Sequence, residues 1–367
     1  MCGIAGIYVP RTGRPAAANL DAMAGVMTHR GPDGEGRWRS PDGRYQTIFR
    51  RLAIIDIAGG DQPIHGPDGA VITANGEIYN YLELKRRFAD YPYQTAGDVE
   101  TVLAARQALG DGYVDVLNGM YGLAIYDAAA DRLELVRDRL GVKPLYWAAL
   151  SGGGIIFASE IKAIFASGLV APMIDAGAVN QYLAHGYVPA PGTLFSGVRK
   201  LPPGHRLSID ADGDIGEWAY WSPGPAIDMP ADQRDTGAHL LALLEDSVRL
   251  QLQSDVPVGA LLSGGIDSGM IAALASRHVG SPLETYTARF PGAAVDEAPL
   301  AAAVADRYGC RHTVLDIGAE NAVDQLWKLS WFTEEPLNDA ALLPNFLIEE
   351  ALGRHVRVTL NGTGGDE

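Results

Sequence analysis

Over the first 160 or so residues, apolar positions come in short runs rich in β-branched and aromatic side chains, cut by Gly, Asn and Asp. "RLAIIDI", "AVITANGEIYNY", "YGLAIYDAAADRLELVRD" and "GGIIFASE" predict strands joined by turns. Within the third stretch, "YGLAIYD" and "RLELVRD" flank "AAAD" as the two arms of a hairpin. Helical spacing appears at 15–28, 81–90 and 98–110, the last with Asp98 near its start and Gly110 at its end. Strands outnumber helices, which predicts a layered α+β domain. Between 186 and 235 the chain turns rich in Pro and Gly and reads as loops, turns and a connecting segment. From 236 the texture alternates. "TGAHLLALLEDSVRLQLQ" is helical, "VPVGALLSGG" strand-like, "SGMIAALASRH" helical, "LETYTARF" strand-like, "APLAAAVADRYG" helical and "HTVLDI" strand-like. Such alternation predicts βαβ units and an α/β parallel sheet. The expected division is a first domain over 1–210, a linker over 211–235 and a second domain over 236–367.

The length, 367 residues, agrees with two domains. Lys plus Arg is 29 and Asp plus Glu is 45, a formal charge of −16. That balance argues against a sequence-independent nucleic-acid binder and against an anionic membrane as partner. It leaves room for a local basic pocket. Two cysteines, Cys2 and Cys310, suggest neither a metal site nor a disulfide framework. Cys310, in "YGCRH", reads as a buried or half-buried thiol. Gly3, Gly6 and Pro10 break the first apolar run, so it does not read as a signal peptide. No stretch reaches the roughly 18 apolar residues of a membrane span. A soluble, cytoplasmic protein is expected. The last residues, "VTLNGTGGDE", read as a strand entering a glycine-rich loop with a helix still to come, as in a fragment.

Two places carry chemistry. "LLSGGIDSG" lies between an apolar run and a helical one. Gly264 and Gly265 let backbone N–H groups approach an anion, and the following helix adds its positive end. Ser263 and Ser268 add hydroxyls, and Asp267 could hold a divalent cation beside phosphates. A plain strand-to-helix turn with Ser and Asp caps is the competing reading. No Lys follows the glycines, so this is not a Walker-type loop. The second place is Cys2. Removal of Met1 would set its thiol one residue from a free α-amine with an ordinary pKa near 7.7–8.0, which can take the thiol proton.

"SGGIDS" is similar to the pyrophosphate-binding loop of the ATP pyrophosphatases. "MCGIAGIY", "HRGPDGEG" (29–36), "RLAIID" (51–56), "NGEIYN" (75–80) and "GDVE" (97–100) resemble a class II glutamine amidotransferase domain. That resemblance implies an N-terminal-nucleophile fold in which Cys2 attacks the glutamine amide. Arg51 would take the substrate α-carboxylate, and Glu77 with Asp98 the α-ammonium. Asn75 and Gly76 would form the oxyanion hole. Taken singly, Asn75-Gly76 is a common turn and Asp98 a common helix cap.

The two halves together resemble glutamine-hydrolysing asparagine synthetases, over essentially the whole chain. "RDRLGVKPLYW" (137–147), "FASEIKAI" (157–164), "LPPGH" (201–205), "DEAPLAAAVADRYGCRH" and "NGTGGDE" add to it. The family implies small-molecule substrates glutamine, aspartate and ATP, with Mg²⁺, and the products asparagine, AMP, pyrophosphate and glutamate. Leu261 and Ala288 would lie near the nucleoside, followed by the loop 263–268 and then Asn361 and Gly362. Asp267 and Asp366 would hold the metal. Two departures stand out: Asn361 where serine is common, and Thr363 where an acidic residue is common. The family also continues well past this point, so this stretch is expected to hydrolyse glutamine without completing asparagine. Relatives that amidate sugars, peptides or natural-product precursors keep the acceptor open. Ring-closing relatives lack the cysteine, and phosphoribosylamine- or glucosamine-forming enzymes lack an "SGGIDS" loop. A non-catalytic nucleotide or amino-acid sensor is the reading from another class. Oligomeric state is not legible, and a homodimer stays open.

Overall fold

The computed structural model describes residues 1–14, 17–224, 233–292, 294–318 and 322–365. It divides into two compact units, Met1–Pro223 with Thr333–Asn338, and Gly224–Phe332 with Asp339–Glu367.

The first unit contains strands β1 (Gly3–Tyr8), β2 (Gly34–Arg39), β3 (Tyr45–Arg51), β4 (Ile64–His65), β5 (Ala70–Ile78) and β6 (Gly119–Asp127). It continues with β7 (Arg132–Arg137), β8 (Tyr146–Ala149), β9 (Ile155–Ala158), β10 (Val198–Lys200), β11 (His205–Ile209) and β12 (Ile215–Ala219). They form two six-stranded antiparallel sheets, ordered β10-β8-β9-β1-β3-β2 and β12-β11-β7-β6-β5-β4. The period of two explains why these strands are apolar throughout: each central strand has a neighbour on both faces. In β6, Ala124 and Tyr126 face the other sheet, whereas Tyr121, Leu123 and Ile125 face a helical layer. Tyr45 of β3 and Tyr126 of β6 stack across the inter-sheet core with centroids 4.8 Å apart. Its α-helices among the described residues are α1 (Leu20–Val26), α2 (Tyr81–Arg87), α3 (Glu100–Leu109), α4 (Ile161–Ala166) and α5 (Ala176–His185), with a 3-10 helix at Gly110–Val116 after α3. Met23 and Ile164 close the outer face of the first sheet, and Leu84, Val102 and Leu103 that of the second.

Three expectations change. The run "RLAIID" leaves the sheet after Arg51 instead of continuing as a strand. The Pro- and Gly-rich stretch supplies β10, β11 and β12, short strands that pair at the outer part of each sheet, where Pro between strands costs no ladder bond. The segment Thr333–Asn338 lies with the first unit. Glu334 explains part of this: its carboxylate accepts the N–H groups of Ile161 at 2.9 Å and Lys162 at 2.7 Å.

The second unit carries a four-stranded parallel sheet of β13 (Val258–Leu261), β14 (Glu284–Arg289), β15 (Arg311–Asp316) and β16 (Val358–Leu360), ordered β15-β14-β13-β16. Its helices are α6 (Gln233–Gln251), α7 (Ile266–Ala275), α8 (Ala298–Tyr308), α9 (Ala322–Thr333) and α10 (Leu342–Leu352). Ala260, Leu262, Leu274, Ala301 and Leu360 meet in its core. Among the described residues no helix is long and apolar enough to cross a membrane.

Leu135 is fully buried between the two sheets of the first unit. Leu135→Ala should cost about 2–5 kcal/mol of that unit's stability, measured by urea denaturation. An unchanged midpoint would mean that this layer does not hold the sheets together.

Candidate active site

The register that sets Gly3 opposite Arg50 brings Cys2 to the end of β3. There the backbone has left the ladder, and the Leu52 N–H donates to Cys2 Sγ at 3.4 Å. The thiol in turn lies 3.6 Å from the Leu52 carbonyl. Burial pushes the thiol above its ordinary pKa, while the Leu52 N–H and the terminal amine work against that rise. The amine belongs to Met1 here, and burial lowers it to about 6. Burial at this end of the chain therefore favours the unprotonated form of an amine.

Arg51, Gly76, Glu77 and Asp98 line one pocket with Cys2. Arg51 is 8% exposed and ties down the loop that follows β3. Its guanidinium donates to the Ile57 carbonyl at 3.0 Å, to the Asp56 carbonyl at 2.5 Å and to Asp61 Oδ1 at 2.8 Å. Asp98 lies just before α3, and its Oδ2 accepts the Ile78 N–H at 2.7 Å. Both carboxyls are pushed well above the usual carboxylate range, mainly by burial and, for Glu77, also by the charge of Asp98. Asn75 is fully buried, and neither polar atom of its side chain has a partner among the described residues. It does not line the pocket itself; its neighbour Gly76 does. A side chain at Gly76 is excluded, since a Cβ would come 2.1 Å from the Met120 carbonyl oxygen of the paired strand.

A second cavity opens in the other unit. Its lining includes Leu261, Ser263, Gly265, Asp267, Ser268, Ala288, Asn361 and Gly362. These residues lie at or just beyond the carboxyl ends of β13, β14 and β16. Connections from β13 run one way to β14 while β16 pairs on the other side, so the order reverses here and leaves a crevice. Ser263 and Ser268 share a hydroxyl contact of 2.9 Å, and Ser268 Oγ accepts the Ser263 N–H at 3.1 Å. The loop after β16 presses against the start of α7, where a Cβ on Gly362 would meet the Ser268 nitrogen at 2.7 Å. Gly264 does not line the cavity; its Cα faces Leu300 and Ala301 of α8. Asp366 lies outside the described residues. No group of three His, Cys, Asp or Glu side chains fit for a metal occurs among the described residues.

Residues 1–221 match the family model "Glutamine amidotransferase domain", and residues 239–367 match "Asparagine synthase". A Mycobacterium tuberculosis protein provisionally named a glutamine-hydrolysing asparagine synthetase is 37% identical over 392 residues, covering all of this chain and 60% of its own length. Asparagine synthetase 1 of Bacillus subtilis is 33% identical over 379 residues, covering all of this chain and 58% of its own. A Methanocaldococcus jannaschii relative, also provisionally named an asparagine synthetase, is 34% identical over 390 residues and covered to 75% of its length. The chain belongs to the glutamine-hydrolysing asparagine synthetase family. It spans about 60% of the length of the first two relatives.

For a member of this family, the geometry also shows groups that the sequence motifs did not single out. Arg30, within "HRGPDGEG", donates through Nε to the Cys2 carbonyl at 3.0 Å and through Nη1 to Glu160 at 2.9 Å. Lys143, within "RDRLGVKPLYW", is 5% exposed beside the N-terminus. Both lay in recognised stretches, but only the folded chain brings them to Cys2. Asn361 Oδ1 accepts the Thr363 N–H at 3.2 Å, a local turn that a serine hydroxyl could equally make.

Because Glu77 and Asp98 favour the protonated form when folded, their contribution to stability is full below the ordinary carboxylate pKa and is lost as pH rises through the raised values. Glu77→Gln should therefore lose less stability than the parent protein between about pH 4 and pH 8, read by urea denaturation. Equal losses would place Glu77 at its ordinary pKa.

Proposed function

We propose that the first unit hydrolyses glutamine and that the whole protein uses the ammonia, with ATP, to convert aspartate into asparagine. The observation that carries the reading is one pocket holding Cys2, a buried guanidinium and two carboxyls, next to an unpartnered buried amide. That set is complementary to an α-amino acid with a side-chain amide. Arg51 would take the substrate α-carboxylate, sharing its donors with the loop carbonyls it already holds. Glu77 and Asp98 would take the α-ammonium, whose charge draws both carboxyls back to the ionised form.

After removal of Met1, the amine of Cys2 accepts the thiol proton and Sγ attacks the amide carbon. Negative charge then develops on the amide oxygen, where the Asn75 side-chain N–H and the Gly76 N–H would receive it. The protonated amine returns its proton to the departing nitrogen, and ammonia leaves. Water hydrolyses the resulting thioester, releasing glutamate and the free thiol.

In the second unit, Leu261 and Ala288 would border the nucleoside of ATP, and the loop 263–268 with Asn361 and Gly362 would surround the phosphates. Adenylation is needed because a carboxylate is a poor electrophile and hydroxide a poor leaving group. The donors present fit Mg²⁺: Asp267 offers an exposed carboxylate at the cavity, Asp296 lines the same cavity, and the ion takes few protein carboxylates when phosphates supply the rest. Asp267 and Asp366 are the proposed holders, and the ion would supply neutralisation of charge on the departing pyrophosphate. We place the activity in the cytoplasm, which provides ATP and keeps thiols reduced; Cys2 and Cys310 are both free. Thr363, where an acidic residue is common, favours a second reading, in which a carboxylate other than aspartate is the acceptor.

Glutamate release should fall to background in Cys2→Ala and about 10²–10³-fold in kcat in Asn75→Ala. N-terminal mass measurement should show Met1 absent from the active protein. Glutamate release that persists in Cys2→Ala would overturn the nucleophile. A parallel reaction with MgATP and aspartate, assayed for asparagine and pyrophosphate, decides the acceptor.

A further inference from the structure

Lys143 sits in a seat built for it between β7 and β8. Its N–H donates to Asp138 Oδ2 at 2.9 Å, and Asp138 Oδ1 accepts the Val142 N–H at 2.9 Å. Asp138, 1% exposed, also takes the Tyr121 N–H of β6 at 3.1 Å. Arg137 holds the other side of the loop, with Nε on the Lys143 carbonyl at 2.8 Å and Nη2 on the Gly141 carbonyl at 2.7 Å. The backbone is thus clamped at both its donor and its acceptor, which fixes where the side chain departs.

The ammonium at its tip has no matching partner. Lys143 Nζ contacts Met1 Sδ at 3.1 Å, a thioether that accepts weakly. No carboxylate forms an ion pair with it among the described residues, although the side chain is buried. Burying an unpaired charge is costly, and an ordinary structural lysine at this position would snorkel to water. Removal of Met1 takes away even the sulfur contact.

The charged groups around this point come from five stretches of the chain. The Met1 amine feels the charges of the Cys2 thiol, Arg30, Lys143 and Glu77. Lys143 is flanked by Glu77, Arg30, Asp138 and Cys2. The thiol is also influenced by Asp98. We propose that Lys143 is a positioning residue of the glutamine site, a fixed positive charge that disfavours protonation of the terminal amine and offers a counter-charge to Cys2 Sγ and the Glu77 carboxylate. Acting through the amine, it keeps the base in its working form; acting through Glu77, it favours the ion that receives the substrate ammonium. This rests on the glutaminase reading of the same pocket.

The test compares Lys143→Met and Lys143→Arg with the parent protein, all confirmed by mass to lack Met1. Glutamine hydrolysis is followed as kcat/KM against pH. In Lys143→Met the amine should protonate more readily, so the acid limb should move up by about one pH unit. KM for glutamine at neutral pH should rise as well. Lys143→Arg keeps the charge and should keep the limb near its original place. A second measurement needs no turnover: the rate of iodoacetamide labelling at Cys2, read by peptide mass spectrometry so that Cys310 is counted separately. Labelling of Lys143→Met at neutral pH should slow and Lys143→Arg should restore it. Superimposable profiles, or a uniform loss at every pH that Arg does not restore, would overturn the proposal. Should the parent label at Cys2 yet release no glutamate, the glutaminase reading fails, and the labelling profiles still decide the role of Lys143.

Discussion

The arrangement of the first unit depends on the burial of one strand. All six residues of β1 are buried, and the strand is paired on both edges, to β3 and to β9. Chain termini normally fray because nothing holds their backbone. Here the hydrogen-bond ladders on two sides and apolar layers on two faces hold the chain from its third residue onward. Cys2 therefore has a defined position, one residue outside the ladder and against Leu52. A side chain so near a chain terminus holds a fixed place only under such a constraint.

The same burial sets the electrostatics. Removing the terminus from water lowers the Met1 amine to about 6, and the same burial would favour the unprotonated form of an amine at Cys2. It also crowds two carboxyls and a guanidinium into a poorly hydrated pocket, where charges interact strongly. The Glu77 and Asp98 carboxyls resist ionising, and the amide of Asn75 finds no partner. An amino-acid zwitterion with a side-chain amide would relieve each of these deficits at once.

In the second unit the governing feature is strand order, not burial. Because β16 pairs beside β13 while the chain from β13 proceeds to β14, two loops diverge above the sheet and leave a crevice. Small residues then let the loop after β16 lie against the first turn of α7. Backbone N–H groups, serine hydroxyls and the Asp267 carboxylate end up on one cavity wall. Such a wall suits polyphosphate with a hard cation, as expected at the carboxyl ends of parallel strands.

Much of this was determined by the sequence alone. Helices came where apolar spacing and flanking Gly or Asp marked them, and β6 and β7 formed the hairpin around "AAAD". The parallel sheet followed from strands and helices in alternation, because a period is a local property of the chain. Motif residues such as Cys2, Arg51, Glu77 and Asp98 could be named because each sits in a short stretch that resembles a glutamine amidotransferase motif. Other features required the tertiary structure. Only packing shows that "RLAIID" breaks from the ladder, since leaving the ladder is what frees Leu52 to meet Cys2. The strands hidden in the Pro- and Gly-rich stretch are stabilised by the sheets they join, not by their own propensity. Arg30 and Lys143 are dozens of residues from the motif positions they face, and a charge on a sequence carries no direction. The sequence determined which groups the protein possesses and which local elements carry them. The tertiary structure decided which groups share a pocket from which water is excluded, because burial is a property of the whole fold.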